Sequence, residues 1–144
     1  MIISTRGRYA LRLMLDLAEH GGDEYISLQD IAERQDFSIK YMEQILPALN
    51  SSKMLDTKAG RHGGYKLSQK PSEYTLGEIL RVTEGSLAPV ACLEGDENPC
   101  ERQADCATLP VWAKLDEIIN DYLDGITLED LVSQHADKRK AAGV

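Results

Sequence analysis

The sequence predicts a mainly α-helical fold carrying one small β-hairpin, and three observations predict it. Apolar residues recur at three- and four-residue spacing through most of the chain. Ser27, Ser38, Thr75 and Thr127 stand where helix N-caps belong. Strand-like stretches occur only at 54–58 and 65–67, joined by the glycine-rich Ala59-Gly60-Arg61-His62-Gly63-Gly64. At 144 residues the chain has the size of one domain, and 42% hydrophobic content suffices for its core.

Residues 5–20 predict the first helix, with Tyr9, Ala10, Leu13, Met14, Leu17 and Ala18 on one apolar face. Gly21-Gly22-Asp23 ends it. Ser27-Leu28-Gln29-Asp30 reads as a capping box opening a short helix, 28–35, with Leu28, Ile31 and Ala32 inward. Gln35-Asp36-Phe37 turns the chain. Ser38 then caps a helix over 39–52, with Tyr41, Ile45 and Leu49 on one stripe and Met42 and Leu46 beside it. Pro47 falls inside that stripe, where a proline costs ~3 kcal/mol, so the helix either bends there or has other boundaries.

Beyond the hairpin, Thr75-Leu76-Gly77-Glu78 is a second capping box, opening a helix to residue 84 with Leu76, Ile79, Leu80 and Val82 inward. Gly85 to Asp105 lacks periodicity. Helical spacing resumes at Val111: Trp112, Leu115, Ile119 and Tyr122 alternate, with Ile118 and Leu123 alongside, until Gly125. Thr127-Leu128-Glu129-Asp130 caps a last short helix, and the polar tail from Asp137 to Val144 is expected to fray. The expected organisation is a helical unit with its hairpin at 1–84, a loop at 85–110, a long and a short helix at 111–136, and a tail at 137–144.

The net charge of −8 argues at first against a polyanionic partner. Its distribution reverses that argument. Residues 1–70 hold ten Lys/Arg and nine Asp/Glu (+1), and residues 71–144 hold six and fifteen (−9). Ser38 to Lys70 carries Lys40, Lys53, Lys58, Arg61, Lys66 and Lys70 against Glu43 and Asp56 alone, a local +4. No apolar run is long enough to span a bilayer. Residues 1–6 lack the layout of a secretory signal, and three cysteines is an odd count for a disulfide framework. A cytoplasmic location with free or metal-bound thiols is expected.

Two short helices across a tight turn, followed by a basic glycine-tipped hairpin, describe a winged helix-turn-helix. The second helix would place Ser38, Lys40, Tyr41, Glu43 and Gln44 at its start, where a major-groove helix carries its base-reading side chains. Lys40 suits a phosphate, Gln44 a bidentate pair with adenine, and Glu43 the amino group of cytosine. Arg61 and His62 suit a narrow minor groove. A charge strip alone is usually a solvated face; its coincidence with this arrangement favours double-stranded DNA.

Several stretches together resemble one bacterial family, the Rrf-type winged-helix regulators. They are Ile3-Ser4-Thr5-Arg6-Gly7-Arg8-Tyr9-Ala10-Leu11, Ile31-Ala32, Tyr41-Met42-Glu43-Gln44-Ile45 and Gly63-Gly64-Tyr65-Lys66-Leu67, continuing through 79–85 and 112–131. The resemblance implies a transcription regulator, a repressor in many members, acting as a homodimer on palindromic operator DNA. It also implies that Trp112, Leu115, Ile119 and Tyr122 line a dimerisation helix. By its stripe alone, that helix could equally pack on its own domain.

Cys92, Cys100 and Cys106 fall within fifteen residues, spaced C-x7-C-x5-C. Thiolates bind soft metals and iron–sulfur clusters, and an aperiodic loop lets three converge. Glu94, Asp96, Glu97, Glu101 and Asp105 surround them, which also suits zinc held by sulfur and carboxylate. Inert thiols are the plain alternative. The resemblance implies a [2Fe–2S] cluster, since the family's cluster-sensing members carry three cysteines in this loop. Its fourth ligand is unassigned: Leu109 stands where iron–sulfur members have a histidine, and Arg8 where nitric-oxide-sensing members have an acid. Filling or emptying the loop would then alter the spacing of two reading heads. A relative of the cysteine-metabolism repressors, controlled by a protein partner without a cluster, is the second reading, and a small thiol redox protein the third.

No catalytic arrangement is persuasive. The glycine-rich link lacks the lysine and hydroxyl residue of a phosphate-binding loop. His20, expected just past a helix, and His135, expected near a frayed end, read as surface residues. The sequence therefore predicts no enzyme.

Overall fold

The computed structural model describes residues 2–144. Helix α1 (Thr5–His20) lies at the centre, capped by Ser4, whose hydroxyl accepts from the Gly7 N–H. Around it pack α2 (Leu28–Gln35), α4 (Leu76–Glu84) and α6 (Leu128–Ala141), with α3 (Ile39–Ser51) on α2 and α4. Strands β1 (Leu55–Lys58) and β2 (Gly64–Leu67) form the hairpin, and α5 (Leu109–Asp124) follows the cysteine-containing segment. The fold is mainly α with one small antiparallel sheet: a winged helix-turn-helix extended by a long helix.

The core is the sum of the apolar stripes. Ala10, Leu13, Met14 and Leu17 of α1 meet Ile31 of α2, Met42, Ile45, Leu46 and Leu49 of α3, and Ile79 of α4. Leu28, Ala32 and Val82 pack at its edge. Fully burying a side chain of this size contributes about 1.5–3 kcal/mol, so these stripes fix which face of each helix turns inward.

The hairpin pairs Leu55 with Leu67 and Lys58 with Gly64. Ile26 adds a rung beside it, exchanging backbone hydrogen bonds with Tyr65 at 2.9 and 2.8 Å. The chain at residue 64 therefore runs hard against Ile26. A Cβ on Gly64 would overlap the Ile26 carbonyl, and its φ of 155° adds to the demand for glycine.

Three features differ from expectation. Pro47 neither ends α3 nor lies on its buried stripe; it sits on the exposed side with Glu43 and Gln44. The hydrogen bond it forfeits would run to the Glu43 carbonyl, which water can satisfy there. Helix α5 starts at Leu109, two residues before the visible periodicity, because Pro110 suits a first helical turn. The last helix is long, and residues 137–141 of the expected frayed tail are helical. A full capping box between Thr127 and Asp130 opens it, and Lys138, Arg139 and Lys140 complement the dipole at its end. His135 lies within this helix, half-buried, with Nδ1 against the Glu19 carboxylate of α1. His20 is the last residue of α1 and is exposed.

Candidate functional site

The helix-turn-helix is locked to α1 by polar contacts that the sequence did not announce. Asp16, fully buried, accepts from Arg34 Nε and Nη2 at 3.0 and 2.7 Å and from Gln35 Nε2 at 2.9 Å. The Asp16 carboxylate holds the Arg34 guanidinium above its ordinary pKa. Arg12 donates to the Gln35 carbonyl at 2.6 Å and lies 4.3 Å over the Phe37 ring. Between these anchors, Asp36 takes the left-handed conformation (φ 56°) that turns the chain from α2 toward α3.

At the start of α3, the Ser38 hydroxyl accepts from the Tyr41 N–H at 3.1 Å, so it acts as the cap. Lys40, Glu43 and Gln44 are exposed on one edge. Tyr41 is half-buried and meets the Tyr9 ring edge-on at 5.1 Å, with Tyr9 stacked on Phe37 at 4.3 Å. These residues share the start of α3, but Tyr41 spends much of its surface on packing.

The wing is fixed at its base. Tyr74, 2% exposed, donates from its hydroxyl to the Met54 carbonyl at 2.7 Å and accepts from the Gln69 N–H at 2.9 Å. Thr57 of β1 donates to Asn50 Oδ1 of α3 at 3.1 Å, joining wing and helix directly. Arg61 and His62 stand exposed at the tip, with no ion pair among the described residues. Below them, Lys58 and Lys66 approach the Tyr25 ring at 5.8 and 4.9 Å. Tyr25 was not legible as part of this surface, because it arrives through the isolated rung at Ile26 rather than through either strand.

The three cysteines are free. Cys92 lies in a turn of 3₁₀ helix (Ala91–Leu93), Cys100 is exposed with its N–H donating to Asn98 Oδ1, and Cys106 follows a second such turn (Gln103–Asp105). The Cys106 thiol sits at the entrance to α5, 3.5 Å from the Thr108 hydroxyl. That hydroxyl, with the N–H groups of Thr108 and Leu109, pushes its pKa below the ordinary thiol value. Among the described residues, no three His, Cys, Asp or Glu side chains converge on one point as metal ligands would. By chemistry three accessible thiols fit a soft metal or a cluster; by arrangement the loop is open.

Helix α5 presents the remaining predicted residues. None of its residues is buried within the chain. Leu115 is 39% and Tyr122 67% exposed, Val111 and Ile118 exceed half, and Trp112 and Ile119 are half-buried. No helix among the described residues is long and apolar enough to cross a membrane.

A capped second helix, a basic wing pinned beside it, and a long apolar helix left uncovered define a winged-helix transcription regulator. Comparison with known proteins names the group. The Rrf2 family, described as iron-dependent transcriptional regulators, matches residues 3–134, and the chain belongs to it. Protein rrf2 of Nitratidesulfovibrio vulgaris is 38% identical over 133 residues, covering 92% of this chain and 87% of that one. The HTH-type transcriptional regulator CymR of Bacillus subtilis is also 38% identical over 133 residues, covering 92% and 91%. The solved structure of CymR (YrzC), the global cysteine regulator of B. subtilis, covers 93% of this chain and 98% of its own at 37% identity, with a TM-score of 0.75. That of T. potens IscR covers 94% and 88% at 33% identity, with a TM-score of 0.72.

Proposed function

We propose that this regulator represses transcription as a homodimer on palindromic operator DNA, with an iron–sulfur cluster in the cysteine loop adjusting its affinity. Residues 1–84 form the reading unit, 85–110 the sensor loop and 111–136 the pairing unit, with a tail at 137–144. Lys40, Glu43 and Gln44 read the major groove beside the Ser38 cap and the half-buried Tyr41, while Arg61 and His62 enter the minor groove. The observation that carries this reading is the junction of α3 and wing: the exposed start of α3 lies beside a basic wing, Thr57 of the wing bonds Asn50 of α3, and Tyr74 closes the base of the wing. Pairing through Trp112, Leu115, Ile119 and Tyr122 is supported by the unburied apolar face of α5.

Cys92, Cys100 and Cys106 would hold the cluster as thiolates, and the Thr108 hydroxyl and nearby N–H groups lower the pKa of the Cys106 thiol. A bound cluster would supply a redox-sensitive, degradable centre. The chain's own part would be to supply three loop thiols from the segment that joins the end of α4 to the entrance of α5. Nearby carboxylates oppose an anionic cluster and also suit zinc.

Anaerobic purification with iron, sulfide and zinc assays, followed by DNA titration at several salt concentrations, tests both parts. Coloured protein with stoichiometric iron and sulfide and a salt-sensitive affinity is expected. Zinc alone, or colourless protein with full affinity, removes the cluster and keeps the regulator. The unconverged thiols and missing fourth ligand favour a second reading, a cysteine-metabolism regulator controlled by a protein partner without a cluster. No association with any duplex at low salt would remove the regulator itself.

A further inference from the structure

Helix α4 carries one guanidinium that the DNA-reading surface does not use. Arg81 donates from Nη1 to Asp124 Oδ1 at 2.9 Å, and from Nη2 to Asp124 Oδ2 at 2.8 Å and Asn120 Oδ1 at 2.6 Å. Both acceptors lie on α5, one helical turn apart. Asn120 is itself held in place, since its Nδ2 donates to the Asp116 carbonyl at 2.8 Å. Gly77 completes the seat: a Cβ there would overlap Asp124 Oδ1, so the missing side chain lets the carboxylate close onto α4. The Arg81 guanidinium in turn holds the Asp124 carboxyl below the usual carboxylate range.

A planar fork on two successive turns constrains rotation as well as distance, which a point charge cannot do. That constraint matters on α5 in particular. No residue of this helix is buried in its own chain, so little core packing sets its direction. Arg81, Asp116 and Asn120 also line an open cleft together with Leu87, Leu93 and Glu94. Leu93 and Cys92 share one 3₁₀ turn. Reading unit, α5 and the first cysteine turn therefore border one cleft, and Arg81 bridges the first two across it.

We propose that Arg81 is a positioning residue for operator recognition, fixing the angle of α5 against its reading unit and thereby the distance between two bound half-sites. The proposal rests on the reading of α5 as the pairing helix. One base pair of altered spacing displaces a half-site by about 3.4 Å and rotates it by roughly a tenth of a turn, so a small angular change in α5 is visible in DNA preference.

The test uses the full chain and duplexes that the unaltered protein selects from a randomised pool. Their half-sites are then moved by one and two base pairs. The unaltered protein is expected to discriminate spacings by about tenfold or more, and Arg81→Ala and Asp124→Ala by about twofold or less. Both variants should remain dimeric by light scattering and bind an isolated half-site normally; Arg81→Lys should fall between. Unchanged spacing preference in both variants overturns the proposal. So does an equal loss on half-sites and full sites, which would mark the clamp as a stability feature. Unaltered protein that is monomeric, or selects only single half-sites, removes the pairing reading and the proposal with it.

Discussion

Replacing Asp16 by asparagine should loosen the helix-turn-helix from α1 while leaving the shape of the side chain almost unchanged. Asp16 is fully buried and accepts three hydrogen bonds, two from Arg34 and one from Gln35. Breaking a buried ion pair by removing one partner typically costs ~3–5 kcal/mol. Arg34 is 35% exposed on its side chain, so its guanidinium can turn to water and the lower end applies. Asparagine also keeps one acceptor oxygen. The expected loss is about 2–3 kcal/mol, seen as a fall in Tm of roughly 5–10 °C. Urea denaturation of the two proteins measures it. Replacing both partners by apolar residues, Asp16→Leu with Arg34→Met, should recover all but about 1 kcal/mol, because neither charge is then stranded. A loss below ~1 kcal/mol for Asp16→Asn would refute the reasoning and move the anchor of α2 to its apolar contacts.

Tyr74→Phe should cost about 1–3 kcal/mol, because the Met54 carbonyl and Gln69 N–H lose their partner; hydrogen exchange at those wing amides reads it directly. Arg61→Ala should weaken binding to all duplexes alike and lower the salt slope by about one, whereas Gln44→Ala should cost ~1–3 kcal/mol on the preferred sequence and little elsewhere. Fluorescence anisotropy across salt and sequence separates them, and equal losses on every sequence for Gln44→Ala would end its role as a base reader. Alkylation of Cys106 should proceed at lower pH than that of the unfolded chain, since a depressed pKa fills the thiolate earlier as pH rises. Thr108→Val should shift the pH profile upward; mass spectrometry of timed alkylation follows it.

The legible parts of this fold were those written locally. Apolar spacing placed α1 to α4 almost to the residue, with a hydroxyl cap marking the start of α2, α3 and α4, because each signal lies within one turn of the element it sets. Helix α6 was misjudged in length because beyond Leu128 it buries nothing fully, and a polar helix leaves no stripe to read. The Asp16–Arg34 lock joins residues eighteen apart through a buried carboxylate, and composition gives no sign of which acid goes inside. Tyr74 falls between the predicted hairpin and the next predicted helix, in no periodic stretch, yet it holds the base of the wing. The candidate site was legible as a set of exposed charges, not as geometry. In the cysteine loop the sequence clusters three thiols, while the structure leaves them apart.

The pinned wing has a consequence for regulation. With its base tied to Met54 and Gln69 and its first strand tied to α3, the wing backbone of the proposed nucleic-acid face is set before any ligand arrives, so docking would forfeit less conformational entropy there. An effector gains nothing by ordering what is already ordered. In the proposed dimer the remaining adjustable coordinate would lie between subunits, where a small hinge travel would decide whether two heads fall in phase with successive turns of the double helix.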